Sequence, residues 1–191
     1  MRNIINVLIT AVMLIVITGC SDSAKQPVVG VVTTETHIVG KTAPDFNFTS
    51  ADGKVTSFKD VNQPISIIAF TTSSGDVCCQ LNPQLVELAK RFRGQPISVS
   101  QVSLPTKKCP YGPGCTEYCN IKDINLIALC DKDMVAWNLY GQPDPDTVIL
   151  IDYKSQIVAV ESLDNLDAVA KKATQMARQY SKEYESMYEG G

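Results

Sequence analysis

The chain has 191 residues, 45% hydrophobic, 19% charged and 7% aromatic, which supports one ordinary globular domain with appendages and excludes a disordered chain or a coiled coil. Lys+Arg 17 against Asp+Glu 20 gives a net charge of -3, so the basic footprint of a nucleic-acid binder is missing and no nucleic-acid partner is expected. One histidine, His37, argues against hydrolytic triads and His-ligated zinc, and seven cysteines are many for this length.

Residues 1–19 read as an export signal, with Arg2 as the positive start and Ile4 to Ile17 as a mostly apolar run. That run is too short for a comfortable membrane span, which takes about 20 residues. It ends Val16-Ile17-Thr18-Gly19-Cys20, then Ser21-Asp22-Ser23. This resembles the lipobox of bacterial lipoproteins. The resemblance implies a lipidated Cys20 as the mature N-terminus, with acyl chains holding an exported domain at a membrane surface. Loss of Arg2, the only charge in the signal, takes the net charge from -3 to -4. Six cysteines then remain, in a compartment where disulfides persist. Residues 20–36 lack helical periodicity and read as a tether, which leaves 37–191 as the domain.

Within the domain, Phe46-Asn47-Phe48 alternates and Ala51-Asp52-Gly53-Lys54 is a strong turn, so an N-terminal hairpin is predicted. Ile65 to Phe70 is a β-branched run suited to a buried central strand. A polar loop, Thr71 to Asp76, leads to Cys78-Cys79. Cys78, Leu81, Leu85, Leu88 and Phe92 share one helical face, closed by Gly94. Pro83 is either tolerated in the first turn of that helix or kinks it. Ile97 to Leu104 is a second strand, and 105–120 is a Pro/Gly/Cys-rich excursion. Asn125 to Leu129 is a third strand, Asp131 to Tyr140 a short helix, Asp146 to Ile151 a fourth strand and Ile157 to Val160 a fifth. The last helix carries Leu166, Ala170, Ala173, Ala177, Tyr180, Tyr184 and Met187 on one stripe, with Asp164 as its expected N-cap. This order predicts an α/β domain: a mixed central sheet with helices on both faces and an N-terminal hairpin extension.

Several stretches resemble one family. Gly40-Lys41-Thr42-Ala43-Pro44-Asp45-Phe46 is similar to the Gly-x-x-Ala-Pro-Asp-Phe opening of peroxiredoxins and redoxins. Asp52-Gly53-Lys54 and Ser57-Phe58-Lys59-Asp60 follow as they do there. Leu129-Cys130-Asp131, Val135-Ala136 and Tyr140-Gly141 resemble a Leu-Ser-Asp … Val-Ala … Tyr-Gly stretch. Ser103-Leu104-Pro105 looks like the Asp-Leu-Pro of thiol peroxidases. The likeness spans about 38–175 and implies a thioredoxin-like fold with thiol-based redox chemistry and no cofactor. It also implies a resolving role for Cys119. Pro145-Asp146-Thr147 resembles the Pro-x-Thr of membrane-tethered thiol reductases, where a cis-proline faces the active cysteine. Pro145 and Thr147 are therefore expected at the substrate face.

The sequence also departs from these families. The peroxidatic pattern places Thr three residues before the thiol, where Gly75 precedes Cys78 and Asp76 precedes Cys79. The guanidinium expected before the fourth strand is replaced by Asp146 or Thr147. Gly75 likewise breaks a Cys-x-x-Cys ending at Cys78.

A thiolate is the nucleophile in such chemistry and is favoured at a helix N-terminus, so Cys78 and Cys79 are the candidate reactive thiols. Neighbouring α-carbons lie about 3.8 Å apart, below the disulfide range of about 4.4–6.8 Å, so these two do not bond to each other. Cys109, Cys115 and Cys130 are candidates for structural disulfides, and Cys119 for either role. The spacing of Cys109, Cys115 and Cys119 lacks the close pair of a zinc site, and no metal is expected. The function expected is that of a membrane-tethered exported redoxin reducing peroxide through a reactive cysteine and a resolving cysteine, with an external thiol donor closing the cycle; the alternatives are disulfide exchange with client proteins and a non-catalytic lipoprotein with structural or metal-binding cysteines.

Overall fold

The computed structural model describes residues 38–49, 54–72, 80–106 and 118–188. The signal, Cys20 and the tether therefore lie outside the described residues, as do Cys78, Cys79, Cys109 and Cys115.

The hairpin is present as β1 (Asn47–Thr49) and β2 (Val55–Ser57), paired antiparallel. A single helical turn, α1 (Phe58–Val61), follows, with Ser57 as its N-cap. The main sheet contains β3 (Ile65–Thr72), β4 (Ile97–Leu104), β5 (Tyr118–Ile121), β6 (Leu126–Cys130), β7 (Thr147–Ile151) and β8 (Ile157–Ser162). Their order is β5-β6-β4-β3-β7-β8. The β3, β4 and β6 strands run parallel, while β5, β7 and β8 pair antiparallel to their neighbours. The helices are α2 (Pro83–Arg91), α3 (Val135–Leu139) and α4 (Leu166–Tyr188). A mixed sheet with helices on both faces is the architecture predicted.

Alternation along the central strands divides the core in two. Ile65, Ile67 and Ala69 of β3, with Ile97 and Val99 of β4, pack under Leu85, Leu88 and Phe92 and under Val169, Ala170 and Ala173 of α4. Ile68 and Phe70 face the other way, against Phe46, Phe58, Ala136 and Tyr140. The residues that resemble the family opening are structural braces on this second side. Phe46 stacks on Phe58 at 4.7 Å between ring centroids. The Asp45 carboxylate accepts from Ser57 Oγ at 2.6 Å and from the Lys59 amide at 3.1 Å. Tyr140 donates its hydroxyl to the Pro44 carbonyl at 3.1 Å, and its burial pushes that hydroxyl's pKa up.

Four expectations are corrected. The described part of the second helix begins at Pro83 rather than at Cys78, because Asn82 caps it through Gln84 N–H at 2.9 Å and Pro83 occupies the first turn, where its missing N–H costs nothing. The excursion 105–120 contains the start of an edge strand, since Tyr118 to Ile121 pairs with β6. The helix after β6 starts at Val135 rather than Asp131. Asp131 instead accepts from the Ala136 and Trp137 amides at 3.2 and 2.8 Å. Finally, Asp164 is not an N-cap. Ser162 Oγ accepts from the Asp164 amide at 3.3 Å, opening a short 3-10 turn (Leu163–Asn165) before α4.

Candidate active site

The parallel strands β3, β4 and β6 all end at one edge of the sheet, and β7 begins there. In open α/β sheets this carboxyl edge is where ligands bind. From Thr72 at the end of β3 the chain enters 73–79, which carries Cys78 and Cys79. From Leu104 at the end of β4 it runs on toward Cys109 and Cys115. Cys130 ends β6 at the register position of Ser103, which itself pairs with Thr71. Cys130 is 7% exposed and disulfide-bonded. Its sulfur partner lies outside the described side chains. Cys119 pairs with Ala128 in the β5–β6 register, two residues in from this edge.

Pro145 and Thr147 reach the same edge. Asp146 N–H donates to the Phe70 carbonyl at 2.7 Å, and Thr147 N–H to the Asp144 carbonyl at 3.2 Å. Pro145 is exposed, whereas Thr147 is buried in register with Phe70. The expectation of a cis-proline is corrected, since no peptide bond among the described residues is cis. Asp146 adopts φ +67°. Proline followed by a residue of positive φ, closed by the Thr147–Asp144 bond, is a type II turn, which takes a trans proline at its second position.

Two polar residues, Gln101 and Asp131, shape this edge without any site role expected from the sequence. Gln101, 2% exposed on β4, accepts from Asn82 N–H at 2.7 Å and donates to the Gln80 carbonyl at 2.8 Å and to Ser103 Oγ at 3.1 Å. A glutamine in phase with Ile97 and Val99 was the available signal, since buried amides persist where their partners are fixed. Asp131, next to Cys130, has its pKa raised by desolvation against the opposing effect of the α3 amide bonds.

Two cavities flank the sheet among the described residues. A small one, about 60 Å³, lies beside Cys130 and Asp131. The larger, about 360 Å³, is lined by Pro44, Phe58, Gln63, Tyr140, Asp152 and Tyr153. It opens at the start of β3 and the end of β7, the opposite edge from the cysteine-bearing segments, and forms no part of this site.

A family model for AhpC/TSA matches residues 39–160. The chain belongs to the AhpC/TSA family. No curated protein matches it. Its fold is similar to a candidate protein disulfide isomerase from Bacteroides thetaiotaomicron, at 16% identity and TM-score 0.51, covering 76% of this chain and 94% of that one. It is also similar to a candidate thiol:disulfide interchange protein, DsbE, from Chlorobium tepidum, at 20% identity and TM-score 0.50, covering 71% and 96%. An uncharacterized conserved protein from Geobacillus kaustophilus matches at 21% identity and TM-score 0.52, covering 69% and 72%. These likenesses show a thioredoxin-like fold. The family-like opening of this chain packs against α1 and the residue after α3, through Phe46 on Phe58 and Pro44 on Tyr140.

Proposed function

We propose that this chain is an exported thiol-disulfide oxidoreductase, held at a membrane by acyl chains on Cys20 once residues 1–19 are removed. The domain is 37–191 and 20–36 is its tether. Cys78 or Cys79, as a thiolate, attacks one sulfur of a client disulfide. That S–S bond breaks, a mixed disulfide forms, and the client's departing thiolate takes a proton from water. A second thiolate, assigned to Cys119, then attacks the enzyme sulfur of the mixed disulfide. The client leaves as a dithiol, the enzyme is left with an internal disulfide, and an external dithiol donor reduces it.

The observation that carries this reading is the shared edge. The segments bearing Cys78, Cys79, Cys109, Cys115 and Cys130 leave the sheet where the exposed Pro145 turn is tied to Phe70. An exposed apolar proline at that edge suits a protein client. The names of two fold neighbours, a disulfide isomerase and a disulfide interchange protein, agree with it. Among the described residues no helix is long and apolar enough to cross a membrane. The attachment proposed is the lipid on Cys20.

A second reading, peroxide reduction, is favoured by the AhpC/TSA match itself. There the thiolate attacks the O–O bond, giving a sulfenic acid and an alcohol or water, and Cys119 condenses with it, releasing water. Gly75 and Asp76 stand where that chemistry places its threonine, which ranks it second. A Cys119→Ser variant expressed with its export signal separates the two. Disulfide exchange predicts a client protein trapped on Cys78 or Cys79 and released by dithiothreitol. Stoichiometric peroxide consumption with a sulfenate at Cys78, and no trapped client, would instead establish the peroxidase.

A further inference from the structure

Gln101 sits in the middle of β4, next to β3 and on the face covered by α2. An apolar side chain would fill that place without any hydrogen-bonding demand, because a buried amide is costly unless its partners are fixed. Here they are. Oε1 accepts from Asn82 N–H at 2.7 Å, and Nε2 donates to the Gln80 carbonyl at 2.8 Å and to Ser103 Oγ at 3.1 Å. Asn82 is the N-cap of α2. Gln80 is bonded directly to Cys79. One buried amide therefore fastens the main chain that leaves the two thiols, and the start of the helix that follows, to a central strand. Ser103, which takes the second N–H, is in register with Cys130.

We propose that Gln101 is a positioning residue for thiol chemistry at Cys79 and its neighbour Cys78. This rests on the thiol function proposed above. The side chain acts by fixing the Gln80 carbonyl, so that the thiol is presented in one geometry instead of many, and misplacement of a reacting group is felt mainly in kcat.

The test uses the reduced mature protein, with Gln101→Met and Gln101→Glu. Methionine keeps the length and loses every bond. Glutamate keeps the acceptor for Asn82 and, when ionised, loses the donor to Gln80. Asn82→Ala is the control for a merely destabilised helix start, because it removes the cap and leaves the backbone N–H that Gln101 accepts. Two readouts are taken on folded protein: kcat and KM for reduction of a self-quenched glutathione disulfide, and the pH profile of iodoacetamide labelling at Cys78 and Cys79. Both Gln101 variants should lose at least about tenfold in kcat with KM changed less than about twofold, and should move the labelling midpoint. Asn82→Ala should keep kcat within about twofold of wild type and leave the midpoint unmoved. Wild-type kcat and labelling in a folded Gln101→Met would overturn the proposal and leave the thiol function standing. If Gln101→Met does not fold, Gln101→Glu decides by the same criteria. A wild-type protein with no reactive thiol at either position overturns both.

Discussion

The Asp146 amide donates to the Phe70 carbonyl at 2.7 Å. This bond ties the turn carrying Pro145 to the strand that leads to Cys78 and Cys79. Asp146 holds φ +67° in that turn, a conformation that costs an L-residue about 1 kcal/mol and glycine nothing. Asp146→Gly should therefore stabilise the domain by about 0.5–1 kcal/mol, or roughly 1–4 °C in Tm for a chain of this size. Asp146→Val should lower Tm. Calorimetry of the three proteins measures both, and a glycine variant less stable than wild type would show that the Asp146 side chain matters more than its backbone.

Ser100 presents the reverse situation to Gln101. It is fully buried in β4 in register with Ile68 and Ile127, and its hydroxyl has no hydrogen-bond partner among the described residues. A buried hydroxyl left unpaired costs about 1–3 kcal/mol. Ser100→Ala should raise unfolding free energy by about 1 kcal/mol in urea with an unchanged m-value. A loss of stability would reveal a partner for Oγ.

Asp131 predicts a pH signature. Its pKa is raised above 3.8, chiefly by burial, so the fold favours the protonated form relative to the unfolded chain. That contribution is fully present below the unfolded pKa and is lost as pH rises through the folded one. Relative to Asp131→Asn, wild type should gain stability as pH falls from neutral toward 3.8. Denaturant melts of both proteins across that range test it, and a difference that moves the other way would mean that the amide bonds from Ala136 and Trp137 outweigh desolvation.

Cys130 closes a disulfide at the end of β6. Cys130→Ser should destabilise the oxidised protein by about 2–5 kcal/mol and expose one new titratable thiol. Peptide mapping after alkylation then identifies the partner. One thiol fewer in the oxidised variant than in oxidised wild type would contradict the bond.

Much of the fold was legible because burial writes a strong pattern. Ile65 to Phe70 is apolar but for Ser66, Val148 to Ile151 is apolar throughout, and the Leu166–Ala177 stripe repeats at helical spacing, so the sheet centre and α4 were readable. Edge and cap features were not. Tyr118 to Ile121 is short, follows prolines and glycines, and becomes a strand only because β6 offers it a partner. Ser162 and Asp164 are both good caps by type, and only the backbone decides that Ser162 serves. The Pro145 turn depends on φ at Asp146, which no spacing reveals. The cysteines marked the candidate site at once, whereas Gln101 stood out only as a polar residue in an apolar phase until its bonds to Gln80 and Asn82 gave it a purpose.

The central claim is that a thiolate at Cys78 or Cys79 performs disulfide exchange. The most direct measurement is the rate of insulin disulfide reduction by the mature protein with dithiothreitol as donor, compared with a Cys78→Ser/Cys79→Ser double variant of equal thermal stability. The account predicts catalysis above the dithiothreitol background by wild type and none by the double variant. Equal rates from both proteins would contradict it and leave a redoxin fold whose cysteines serve only as staples.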